Sequence, residues 1–125
     1  MYLLVQGIQT EFANLFPGGV IPKKLGESPT LPAMTYQLIS SPNEDVTMNG
    51  PSGLVLNERW QFTIWAKTYD EVVQLSDVFR VRVNGIKGYW GSVAVVTRKD
   101  DERDDRDEKT GLERRDIDVF VTYNR

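Results

Sequence analysis

The stretch LVLNERWQFTIWAKTYDE, residues 54–71, permits few folds. Trp60, Phe62, Ile64 and Ala66 alternate with Arg59, Gln61, Thr63 and Trp65, the two-residue period of a strand with one buried face. The pattern then switches. Thr68 followed three residues later by Glu71 is the capping-box spacing, which satisfies two otherwise unpaired amides at a helix start. The spacing predicts a helix to about Val83, with Val72, Leu75, Phe79 and Val83 on its buried stripe and Asn84-Gly85 as its stop. A strand that runs directly into a capped helix requires a sheet with a helix folded back onto it.

The rest of the chain supplies matching parts. Leu4, Ile8, Phe12 and Leu15 share one face of an opening helix, which Gly7 weakens and Pro17-Gly18-Gly19 ends. Residues 17–32 carry four prolines and read as an ordered connection. AMTYQLIS, 33–40, alternates as a strand, and a wide turn centred on Asn49-Gly50-Pro51 joins it to the next. VNGIKGYWGS reads as a stop and a turn; it follows a helix, so it is not a dinucleotide-binding loop. Residues 89–97 and 115–123 read as two further strands, with Ile117, Val119, Val121 and Tyr123 on one face of the last. The expected architecture is a single α+β domain, residues 1–125, in the order α-β-β-α-β-β: a four-stranded antiparallel sheet with two helices on one face.

From Arg98 to Glu108 every residue is charged. Between Arg98 and Asp118 there are ten acids and seven bases, so this stretch holds the whole net charge of −3. With no basic face elsewhere, the electrostatic footprint of a DNA binder is missing. Asp100, Glu102 and Asp104 alternate as calcium ligands do, but Asp105 stands where the loop glycine belongs and bases are interleaved. The run reads as a solvated hairpin loop over 98–111. Asp116 and Asp118 share a strand face and offer a weak two-carboxylate motif, which keeps a metal-dependent nucleic-acid enzyme as an alternative, beside a small soluble protein-binding adaptor. The chain has no histidine and no cysteine, which removes the usual general base, the usual nucleophile base and thiolate metal sites. Neither a membrane span nor a signal peptide is visible, and a soluble, intracellular product is expected. Trp60 belongs to the core; Trp65, on the opposite face, is expected at a contact with another chain.

Read in order, three stretches are similar to the tail-completion and tail-terminator proteins of long-tailed bacteriophages. The first holds Pro22, Leu31-Pro32, Tyr36-Gln37 and Ile39-Ser40. The second is Trp65-Ala66-Lys67-Thr68-Tyr69-Asp70-Glu71. The third holds Thr110-Gly111-Leu112, Arg114-Arg115, Asp118, Val121 and Tyr123. The resemblance implies a non-enzymatic virion part without cofactor or metal. It would form a ring, usually of six subunits, at the head-proximal end of the tail, assembled in the host cytoplasm. The ring would contact the tail tube protein and the head connector or neck, and DNA would pass through it without specific binding. Arg59, Trp65 and Phe120 are the expected interface residues. Asp100, Asp101, Glu102, Asp104, Asp105, Asp107 and Glu108 are expected on a loop facing the channel or the neck.

Overall fold

The computed structural model describes residues 2–25, 30–40, 46–47, 54–83, 86–107 and 111–124. The elements are α1 (Tyr2–Phe12), a short 3-10 turn (Ala13–Leu15), β1 (Val20–Pro22), β2 (Ala33–Ser40), β3 (Val46–Thr47), β4 (Leu54–Ala66), α2 (Tyr69–Val83), β5 (Ile86–Trp90), β6 (Val93–Asp107) and β7 (Leu112–Asn124). All seven strands belong to one curled sheet in the order β1-β2-β4-β7-β6-β5, with short β3 paired to the start of β4. All pairs are antiparallel except β1 with β2, so the sheet is mixed.

The expected four-stranded antiparallel sheet is therefore wrong, for three reasons. Val20–Pro22, inside the proline-rich connection, adds a parallel edge strand, where a proline at the last position is tolerated because its missing donor faces outward. Ile86–Trp90 pairs with Val93–Thr97 across a Gly91-Ser92 turn. Gly91 has φ +61, and a leading glycine is what a tight two-residue hairpin demands. The third error is the charged run, which is not a loop but the second half of β6, paired residue by residue with β7. Asn49-Gly50-Pro51, Asn84-Gly85 and Thr110 lie outside the described residues.

Both helices lie on one side of the sheet. Leu4, Ile8 and Phe12 of α1 and Val72, Phe79 and Val83 of α2 are fully buried. Of these, all but Val72 share one core cluster with Trp60, Phe62 and Ile64 of β4, Ile117, Val119 and Val121 of β7, and Trp90 of β5. At the centre Phe12 touches Phe62, Phe79 and Trp90, with ring centroids 5.0 to 6.0 Å apart, the separation at which tilted and edge-on aromatic pairs attract. Gly7 has a structural role here: a Cβ on it would lie 2.2 Å from the carbonyl oxygen of Trp90. Its bare backbone lets α1 rest on the β5–β6 turn, which outweighs its cost in helix propensity.

Helix α2 begins where its sequence specifies, with one of the two bonds of the expected capping box. The amide of Glu71 donates to Thr68 Oγ1 at 3.3 Å. Asp70 and Glu71 in the first turn and Arg80 and Arg82 in the last complement the helix dipole. Arg82 also donates to the carbonyl of Glu11 at 3.1 Å, tying the end of α1 to the end of α2.

Candidate interaction surface

The charged half of β6 carries a sign code that matches β7. Arg103 faces Asp116, Asp104 faces Arg115, Asp105 faces Arg114 and Arg106 faces Glu113. Four consecutive cross-strand pairs are opposite in charge. Sliding β6 by one or two residues in either direction brings like charges together, for example Arg103 against Arg114 and Asp104 against Glu113. Opposite charges across a ladder stabilise and like charges destabilise by up to about 1 kcal/mol each. A strand that is polar on both faces has no apolar pattern to fix its register, and here the signs do that work.

A bulge sits at Asp100, between the pairs Lys99–Val119 and Asp101–Asp118. Beyond it, Glu102 and Asp104 turn to the helix side, while Asp101, Arg103 and Asp105 lie on the outer side with Arg114, Asp116 and Asp118. Two ionic networks result.

The helix-side network anchors α2. Arg80 Nη2 donates to both oxygens of Glu102, at 2.9 and 3.1 Å. Buried Arg115 donates through Nε to Asp104, lies 3.5 Å from Glu102 and donates to the Tyr69 hydroxyl at 3.2 Å. The Arg115 hydrogen bond, assisted by that of Tyr69, holds the Asp104 carboxyl below the usual carboxylate range, and the same Asp104 bond raises Arg115. The bond to Glu102 likewise raises Arg80.

The outer network surrounds Asp118, which is buried although it lies on the solvent side of the sheet. Arg59 Nη2 donates to it at 2.7 Å and also reaches Asp100 at 2.9 Å. Arg103 bridges Asp118, at 3.3 Å, and Asp101, which relieves the like pair formed by these two acids. Asp101 is held low, first by the backbone amide of Glu102 and then by Arg103. Asp116 accepts from Thr63 Oγ1 at 2.8 Å.

These contacts place every expected site residue that falls among the described ones. Arg59 and Phe120 are direct cross-strand partners. The Phe120 ring lies between two guanidiniums, Arg98 at 5.1 Å and Arg59 at 5.9 Å from its centroid, a favourable cation–π geometry. Trp65 lies six residues further along β4, roughly 20 Å away at about 3.3 Å per residue. Arg114 covers its ring at 5.7 Å, and its indole nitrogen donates to Thr35 Oγ1 at 3.0 Å. The three expected interface residues thus share a face but form two neighbourhoods, and all three are partly buried. Asp100, Asp101, Asp104 and Asp105 are exposed, and Glu102 is half-buried beneath α2. The Asp107 side chain and Glu108 lie outside the described residues.

Neither carboxylate motif has the chemistry of a cation site. The alternating acids Asp100, Glu102 and Asp104 belong to strand β6, the first at its bulge, and are bound to arginines. A cation at Asp118 would have to displace two guanidiniums, and Asp116 and Asp118 are committed to separate bonding partners. Among the described residues no group of three or more histidine, cysteine, aspartate or glutamate side chains is placed to hold a metal ion. Sequence reasoning gave no site role to Tyr69, Arg80, Arg103 or Arg115, although Tyr69 and Arg115 stand in the motifs it singled out. The signal was present: Arg103-Asp104-Asp105-Arg106 read against Glu113-Arg114-Arg115-Asp116 in reverse is a complementary set of signs.

No family model matches the chain, and no curated protein matches it. A solved structure does. The chain is similar to a chain from the virion of a native gene transfer agent particle, with a TM-score of 0.62 and 12% identity over 99% of this chain and 93% of that one. At that identity the likeness concerns the fold: this chain has, end to end, the fold of a virion component.

Proposed function

We propose that this protein is a structural component of a phage-like virion. In this reading it is a tail terminator, a ring that caps the head-proximal end of the tail tube, stops its growth and forms the tail side of the joint to the head connector. The observation that carries the virion reading is the end-to-end fold likeness to a gene transfer agent virion chain at 12% identity; the terminator role within it is inferred from the ordered motifs. The outer face supports it. The acids there are paired with Arg59, Arg103 and Arg114, so among the described residues the surface offers arginine–aromatic contacts to a protein neighbour and no basic groove to nucleic acid. Partners would be further copies, six in a ring, the tube protein and the neck, with DNA passing through unbound and the protein resident in the virion.

The test is assembly. Added to polymerising tube protein, the chain should bind one end of each tube and shorten the length distribution seen by negative-stain electron microscopy. A chain that binds no tube end, leaves tube length unchanged and is monomeric at every concentration by light scattering sinks the reading.

A further inference from the structure

The sheet has two open edges, and they occur at the same height. Strand β5 covers β6 only as far as Thr97, so on that side no described strand pairs with Arg98–Asp107. At the other edge, β1 pairs only with β2 and ends at Pro22, followed by the exposed Lys23 and Lys24. Following one row across the sheet links Pro22, Tyr36, Phe62, Ile117 and Glu102. The next row beyond Pro22 holds Gln37, Gln61, Asp118 and Asp101. The lysines thus stand level with the acid-rich Asp100–Glu102 segment, at the opposite margin. Four strand spacings separate the margins, about 19 Å along the sheet, too far for a lysine to reach those acids in its own chain. Among the described residues neither lysine makes an ion pair.

We infer that a second copy of this chain docks edge to edge, the β6 margin of one subunit meeting the β1–Lys24 margin of the next. Two features favour this occupant. The charges are complementary, acid in excess on one edge and, on the other, two lysines without an ion pair among the described residues. The strand directions also suit: β6 runs with β4, β1 runs against it, so the contact continues the sheet in the antiparallel sense, the more stable pairing. Charge on an edge strand normally prevents pairing. Here it prevents self-pairing: two β6 edges centred on Arg103 would set Asp101 against Asp105 and Glu102 against Asp104. The contact joins two different surfaces, so it repeats head to tail and closes into a ring when the rotation per copy allows. This inference rests on the ring reading and names its seam.

The absence of cysteine gives a clean test. Lys23→Cys and Asp101→Cys, made singly, are mixed and oxidised mildly, and the double variant is oxidised alone; native mass is measured in parallel, in solution and on tube ends. The expected result is a disulfide between the two single variants that exceeds like-with-like coupling. The double variant should give a ladder ending in one closed species. Lys23→Glu with Lys24→Glu should raise the concentration needed for assembly about tenfold or more at low salt. Assembly without the cross-link, unmoved by the charge reversal, overturns the edge contact and leaves the ring standing. A ladder of open chains keeps the seam and overturns the ring. Monomers without cross-links overturn both.

Discussion

From Val95 to Thr97, β6 lies between β5 and β7, and its inward residues Val95 and Thr97 are buried against the core. From Asp101 to Asp107 it has one neighbour among the described strands, β7, and its side chains form ion pairs on both faces. The same strand is thus held at one end by burial and at the other by sign. The difference shows that a segment of poor strand formers becomes a strand when its partner is complementary and its register is unique. Aspartate and lysine are depleted in strands because they seldom find a surface to pack on; here Arg114, Arg115 and α2 provide one.

The two ends should fail differently. The largest effect belongs to the apolar end. Trp90→Ala empties the space between Phe12 and Phe62 and should cost about 3–5 kcal/mol in chemical denaturation. Next, Arg115→Ala strips a buried cation from Asp104 and Glu102 and should cost about 2–3 kcal/mol, with amide exchange rising in 101–107 before it rises in 93–97. A uniform rise would erase the distinction between the ends. Gly7→Ala, which forces α1 away from Trp90, should cost about 1–3 kcal/mol despite the better helix former. Smallest is Asp105→Asn, which loosens one exposed pair with Arg114 and should change stability by under about 1 kcal/mol, less in high salt.

Acid separates the ends without mutation. The Asp104 carboxyl, bound by Arg115, and the Asp101 carboxyl, bound by the Glu102 amide and Arg103, are lower in the folded chain than their ordinary value. A carboxyl lowered by folding stabilises above its unfolded pKa, near 3.9, and that contribution disappears as pH falls through the folded value. Below about pH 4 the charged end should therefore open first. Backbone exchange that rises equally along β6 would contradict this.

What the sequence disclosed follows the same division. The buried face of β4, the stripe of α2 and the Thr68 cap were legible because burial and capping leave periodic signals. Val20–Pro22 was hidden by proline, which reads as a breaker although an edge strand accepts it. Ile86–Trp90 was hidden by glycines that serve the hairpin and the approach of Gly7. The charged strand was hidden because hydrophobic periodicity is blind to it. The expected interface residues were named one by one and not as a pattern. Arg59 and Phe120 were selected separately, and their pairing with Arg98 and Asp118 depends on a register that only the fold reveals.

The bulge at Asp100 also determines where the chain can change length. Removing Asp100 would leave Lys99 opposite Val119 and bring Asp101 directly after it opposite Asp118, so every matched pair beyond would survive. An insertion or deletion past Arg103 would instead set the signs out of step. The extra residue is slack in a strand that otherwise has none, and gene variants that differ by one codon should keep this hairpin only if they differ there.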